Sequence, residues 1–126
     1  MSNGVKPVLL QTMSMAKIIE QIRAFRDERD WRQFHNPKDM AIAISVESAE
    51  LLEHFLWKKD AEVEKQITER KEQISDEIAD IGIYLLELSD NLGINMIAAM
   101  ERKLAKNAAK YPVEKAKGSN KKYTEL

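Results

Sequence analysis

Apolar residues recur at helical spacing along most of the chain and are interrupted at only a few points. Ser14 is placed to cap a first helix, in which Ile18, Ile19, Ile22 and Phe25 share one face and charged residues the other. That pattern fades around Arg29 and Asp30. The segment Trp31-Arg32-Gln33-Phe34-His35-Asn36-Pro37 then reads as a loop, with Pro37 in the first turn of the next helix. A second helix is expected over Lys38–Trp57. Its Met40, Ala41, Ile44, Leu51, Leu52 and Phe55 spread over more than one face, the pattern of a helix covered on several sides. Lys58 to Gln66 is polar and reads as a break or a short extra helix. The third long helix, Thr68–Asn91, has Ile74, Ile78, Ile81, Tyr84, Leu85 and Leu88 as its spine. Leu92-Gly93 stops it, with Gly93 suited to a left-handed cap. Asn95 opens a fourth helix that runs to Lys110 and ends at Tyr111-Pro112.

The expected fold is therefore an all-α bundle of four to five helices. Residues 1–13 form a flexible leader, 14–111 the helical domain and 112–126 a basic tail, extended or mobile in the free protein. The third helix is apolar almost all round, more than a small monomeric bundle covers, so packing of helices between subunits is expected.

Composition narrows this further. The 126 residues are 44% hydrophobic and 33% charged, with four Gly and three Pro, which favours helices over a β-sandwich. There is no cysteine, hence no disulfide, thiolate zinc site or cysteine nucleophile in this sequence. No apolar run approaches the ~20 residues of a membrane span, and Met1 to Leu10 lacks the pattern of a signal peptide. A cytoplasmic protein with no membrane partner is the expectation. The net charge of −1 argues against nucleic-acid binding.

Two acidic pairs stand out against this background: Glu47-x-x-Glu50 within AIAISVESAELLEHF and Glu77-x-x-Asp80 within ISDEIADIGIYLLEL. A spacing of three puts both carboxylates of each pair on one helix face. Their neighbours are aliphatic, and an unpaired buried carboxylate costs several kcal/mol, so four of them require compensation. A divalent cation with hard oxygen ligands, such as Mg²⁺, would supply it. Glu53 continues the acidic row and reads as surface charge. Asp76 lies on a different face. A ferritin-like di-iron site needs Glu-x-x-His, and the spacing fails here: His54 follows Glu50 by four residues and Glu53 by one, and reads as a structural or surface histidine. Trp31, Phe34, His35 and Trp57 flank the second helix at its two ends. They serve either as helix-end packing or as a stacking site for a nucleobase. Tyr84 lies one turn beyond Asp80 on the same face. Lys110, Lys115, Lys117, Lys121 and Lys122 face only Glu114 and Glu125 in the tail, which is either simply solvated or a cover for a polyphosphate. Lys103 and Asn107 on the fourth helix could approach the same site.

With these residues in view, the chain resembles a known family. The Glu-x-x-Glu and Glu-x-x-Asp pairs are similar to the metal motif of the MazG-like all-α nucleoside triphosphate pyrophosphatases. The string FRDERDWRQFHNPKDMAIAISVESAELLEHFLWK and the tail KNAAKYPVEKAKGSNKKYTEL resemble the dCTP pyrophosphatase branch, over about residues 18–126. The resemblance implies a Mg²⁺-dependent enzyme (Mn²⁺ a possible substitute) that converts a nucleoside triphosphate to the monophosphate and diphosphate. It implies a homo-oligomer, a dimer or a tetramer, of which a dimer-of-dimers tetramer is the favoured expectation, and a preference for dCTP or a modified dCTP. Glu47, Glu50, Glu77 and Asp80 would hold the metal, with Glu50 first and Glu47 second as general base. Trp31 and Trp57 would frame the base, beside Phe34 and His35. Tyr84, Lys103, Asn107, Lys110, Tyr111, Lys121 and Lys122 would contact the nucleotide and its phosphates. Where the family often has Lys-Asp-Glu, this chain has Ser75-Asp76-Glu77, so a role of that lysine is absent or moved to Lys71. Two other readings stand beside this one: a non-catalytic helical interaction module, and a pyrophosphatase of different base preference, such as for dUTP.

Overall fold

Three helices of the computed structural model, which describes residues 13–126, begin where a short polar side chain accepts from the first turn. Ser14 accepts from the Lys17 amide at 3.2 Å and opens α1, Met15–Glu28. Asn36 accepts from Asp39 at 2.9 Å and opens α2, Pro37–Glu53, with Pro37 in its first turn. Asn95 accepts from Ala98 at 3.0 Å and opens α5, Met96–Lys110. Between α2 and α5 lie α3, Asp60–Glu69, and α4, Lys71–Asn91. A short α6, Val113–Ala116, and 3₁₀ turns at Arg32–Phe34 and Tyr123–Glu125 complete an all-α fold without strands among the described residues.

The hub is α4. Its pairing with α2 is the most extensive in the protein, α1 lies against it next, and α3 and α5 touch it more lightly. It ends in a Schellman motif. The Ile94 amide donates to Ser89 at 2.8 Å and the Gly93 amide to Asp90 at 3.0 Å, with Gly93 at φ 68° as expected for a left-handed cap.

The protomer is thinly cored. Among the described residues Ile22 and Met40 are the buried apolar ones, and two charged residues, Arg26 (3% exposed) and Glu87 (4%), are as deeply enclosed. Large apolar side chains stand exposed on every long helix: Phe25 on α1, Ile42 and Val46 on α2, Ile67 on α3, Ile78 and Ile83 on α4, and Ile97, Met100 and Leu104 (68%) on α5. No described helix is long and apolar enough to cross a membrane.

Three expectations are revised. The second helix stops at Glu53 rather than Trp57, because the chain tightens through Phe55→Leu52 and Leu56→Glu53 hydrogen bonds and then turns at Trp57, which sits at φ 62°. The polar stretch after it is a ten-residue helix, one of the two forms expected for it, but the long third helix begins at Lys71 instead of Thr68, with Arg70 as the joint at φ −120°, ψ 29°. The tail is not simply extended. Pro112 starts α6, the Tyr123 ring meets the edge of Tyr111 at 6.0 Å, and the Lys110 ammonium lies 4.9 Å from the Tyr123 centroid. Except for Met13, the leader lies outside the described residues.

Gly93 offers a direct test of the α4 stop. A Cβ there meets nothing within 4 Å, so the penalty for Gly93→Ala is purely one of backbone conformation. It should lower stability by about 1–2 kcal/mol, read as a shift in the denaturation midpoint. An unshifted midpoint would show that the cap carries no stability.

Candidate metal and nucleotide site

The α2–α4 pairing sets the two acidic motifs face to face. Carboxylate oxygens of Glu47, Glu77 and Asp80 all lie within 4.8 Å of one another, and Glu50 abuts both Glu47 and Glu77. On α4 the motif continues along a single face: Glu77, Asp80, Tyr84 and Glu87 are spaced three, four and three residues apart.

Crowding like charges into one space disfavours their ionised forms. Burial first, then the neighbouring carboxyl of Glu50, pushes Glu47 up to about 7. Glu77 is raised for the same reasons. One oxygen of each, Oε2 of Glu47 and Oε2 of Glu77, is buried without a hydrogen-bond partner. These two oxygens lack the partner that enclosure of a polar atom calls for. Hard, anionic, unpartnered and convergent oxygens fit a divalent cation, which would satisfy both orphans at once.

Beside this cluster is a cavity of about 320 Å³ whose lining includes Glu47 and Asp80. Its other walls come from α1 (Ile22, Phe25), from the loop after it (Trp31, His35) and from Tyr84 and Ile83 of α4. Trp31 is edge-on to Phe25 at 5.8 Å and tilted against His35 at 6.3 Å, and His35 is edge-on to Tyr84 at 6.4 Å. The floor is polar. Both oxygens of Glu87 accept from His35 Nδ1, at 2.8 and 2.9 Å, and Asn91 Nδ2 donates to Glu87 Oε2 at 3.3 Å. Asn91 Oδ1 in turn accepts from Arg26 Nη1 at 3.0 Å, and Arg26 Nε is held by Asp27 at 2.8 Å. A chain of buried polar contacts thus fixes the histidine ring.

A second, polar cavity of about 520 Å³ includes Glu50 and Glu77 in its lining. The carboxylate cluster is therefore the wall shared by two pockets of contrasting character.

The structure brings Trp31, His35, Tyr84 and the four acids to this region. Phe34 is exposed, and Trp57 is the most exposed aromatic at 91%. Neither they nor Lys103, Asn107, Lys110, Tyr111, Lys121 and Lys122 line either cavity of the protomer. Lys71, considered as a replacement for the family lysine, lines neither, and Arg70 lies in the polar cavity instead. Glu53 and His54, read as surface or structural groups, line that cavity too, whereas Asp76 is exposed and outside the cluster. Gln21, Arg26 and Glu87 carry no signal as isolated residues. Glu87, however, falls on the helical face defined by Glu77, Asp80 and Tyr84, and that row could have found it.

The raised Glu47 and Glu77 make stability depend on pH in a defined direction. A carboxyl whose folded pKa is raised favours the fold below the unfolded value, and that contribution is lost as pH climbs through the folded value. For Glu47 the window runs from 4.5 to about 7. The melting temperature of the metal-free protein should therefore fall as pH rises across this window. Added Mg²⁺ should largely remove the fall, and Glu47→Gln should flatten it without metal. A pH dependence identical with and without Mg²⁺ would disprove the coupling.

Comparison with known proteins gives these features a setting. Residues 42–126, which contain both acidic pairs, match the model of the MazG-like family. The dCTP pyrophosphatase 1 of Rattus norvegicus is 39% identical over 104 residues, covering 81% of this chain and 61% of that protein. The Bos taurus protein of the same name is 36% identical over 121 residues, covering 91% of this chain and 72% of its own length. The chain thus spans about 61% of the length of the rat relative. A crystal structure of a pyrophosphatase from Archaeoglobus fulgidus DSM 4304 superposes with a TM-score of 0.76 at 42% identity, covering 83% of this chain and 98% of that one. Facing acidic pairs, an all-α scaffold and a match across two thirds of the sequence lead to one conclusion: the chain belongs to the MazG-like family.

Proposed function

We propose that the protein hydrolyses a nucleoside triphosphate to the monophosphate and diphosphate, with dCTP or a modified dCTP as its preferred substrate and cleansing of the nucleotide pool as its role. The observation that carries this reading is the aromatic cavity opening directly onto the carboxylate cluster through Glu47 and Asp80. A nucleoside enclosed by Trp31, His35 and Tyr84 would present its α-phosphate at the acids. The names of the relatives and of the archaeal neighbour support the same reaction.

Glu47, Glu50, Glu77 and Asp80 would hold Mg²⁺, or Mn²⁺ in its place. When bound, the ion supplies neutralisation of phosphate charge and acidification of a nearby water. Glu50, set between Glu47 and Glu77, is placed to orient that water and take its proton. Glu47 is the second choice for this role.

His35 supports recognition of a base edge. With Nδ1 engaged by Glu87, its other ring nitrogen, Nε2, is left for a polar contact with the ligand. A different base preference, such as for dUTP, is the alternative.

The exposed apolar faces of α2, α4 and α5 support a homo-oligomer, which we propose to be a tetramer in preference to a dimer; a cytoplasmic location without nucleic-acid or membrane partners is part of the same proposal. Trp57, Phe34 and the residues of α5 and the tail, remote from both cavities of their own protomer, would then act from a neighbouring subunit. The same apolar faces favour one competing reading, a non-catalytic module that binds partner helices.

Three measurements separate these readings. Glu50→Gln should fold normally yet turn over at least ~10²-fold more slowly, the scale of a lost general base; an undiminished rate removes Glu50 from that role. Sedimentation should give a mass of four chains, and a concentration-independent monomer would count against the assembly. Absence of diphosphate release from a panel of canonical and modified nucleotides with Mg²⁺ would favour the module.

A further inference from the structure

The polar cavity has a composition that the nucleoside pocket lacks. Beyond Glu50 and Glu77, its walls include Glu53, His54, Lys58, Gln66 and Arg70, with Leu56 as the apolar member. Sequence spacing explains the convergence. His54 lies four residues past Glu50 and seven past Glu47, on the same face of α2 and its last turn. Arg70 lies seven residues before Glu77 at the joint of α3 and α4. Lys58 follows Trp57, whose left-handed conformation is an outlier for so bulky a side chain. Backbone strain held by the surrounding fold is commonest where function requires a particular chain path.

Lys58 and Arg70 are also unpaired. Lys17, Arg23, Arg26, Arg29 and Lys65 each pair with a carboxylate, but among the described residues neither Lys58 nor Arg70 does so, and neither makes a side-chain hydrogen bond. Two cations with their donors free thus line a cavity that contains one edge of the acidic cluster. An arginine fork and a lysine ammonium are the natural partners of phosphate oxygens.

We infer that this cavity receives the β- and γ-phosphates of the substrate and holds the diphosphate as it leaves. The inference rests on the hydrolase reading above and extends it. Water oxygen bonds to the α-phosphorus, and the bond from that phosphorus to the α,β-bridging oxygen breaks. The electron pair stays on that oxygen, which departs as part of diphosphate toward Lys58, Arg70 and His54, while the water's proton passes to a carboxylate of the cluster. Glu47 and Asp80 face the nucleoside side and Glu50 and Glu77 the leaving-group side, so the scissile bond lies over the shared wall. Charge adds a condition: Glu50, Glu53 and Glu77 outnumber Lys58 and Arg70, so a polyanion is attracted only once a divalent cation has neutralised the acids.

Calorimetric titration of the full chain with inorganic diphosphate, and separately with dCMP, tests this without turnover. Wild-type protein should bind diphosphate with Mg²⁺ present and not in EDTA. Lys58→Gln and Arg70→Gln should each weaken diphosphate at least about tenfold, the worth of one charge-assisted hydrogen bond. They should leave dCMP, which lacks the distal phosphates, within about twofold, a shift well under one such bond. Arg70→Lys should recover part of the loss, and Lys65→Gln, on the exposed face of α3, should change nothing. Unaltered diphosphate affinity in both variants overturns the inference, as does a parallel fall in dCMP binding. Failure of the hydrolase reading would show elsewhere, as wild-type protein releasing no diphosphate from any nucleotide.

Discussion

Four carboxylates from two helices share one small space, and much of the protein is organised around that constraint. The pairing of α2 with α4 is the most extensive in the protomer, yet it brings together Glu47, Glu50, Glu77 and Asp80, whose crowding disfavours the ionised forms of Glu47 and Glu77. Apolar packing of the helices therefore works against the electrostatics of the groups they carry. The fold tolerates this because the flanking aliphatic residues hold the helices in register, and the unsatisfied oxygens of Glu47 and Glu77 are left as binding capacity. A site of this kind is built at the expense of the metal-free state.

The rest of the protomer is stitched as much by polar contacts as by a core. Few apolar side chains are fully buried, while Arg23 forks onto Asp90 and Arg26 reaches Asn91, tying α1 to the end of α4. These pairs hold Asp90 and Asp27 below the usual carboxylate range, through the hydrogen bonds from Arg23 and Arg26. Their contribution lies above the ordinary aspartate pKa and is lost on acidification, opposite in sign to that of the site carboxyls. Apolar surface is spread over the outsides of α2, α4 and α5 instead of being gathered inside.

What could be read from the sequence follows from how local each cause is. Ser14, Asn36-Pro37, Gly93 and Asn95 act on their own helical turns, and the structure places helix ends at all of them. The acidic pairs were visible because spacing and apolar context are both sequence properties. The end of α2 was not, since its turn depends on Trp57 adopting a backbone conformation to which no Gly or Asn draws attention. Nor was the joint at Arg70, where a good helix former sits between two helices. The partners that fix the aromatic cavity are farther apart still: Glu87 and His35 are 52 positions apart, and only the packing of the 3₁₀ loop on α4 reveals the pair. For the same reason His54 and Arg70 had no visible role until the path of the chain set them in one cavity.

The chain from Arg26 through Asn91 and Glu87 to His35 has a consequence for how this pocket can change over evolutionary time. The ring that lines the cavity is held by groups that also join α1 to α4, so the shape of the cavity and the cohesion of the fold are not separable in the sequence. A substitution at His35 leaves a buried Glu87 without its partner, and the interior has to be repaired before a changed cavity is usable. Change in the chemistry of the cavity should therefore proceed through coordinated substitutions across α1, the loop and α4. The exposed rim of the cavity, around Trp31 and Phe25, is left as the part free to vary one residue at a time.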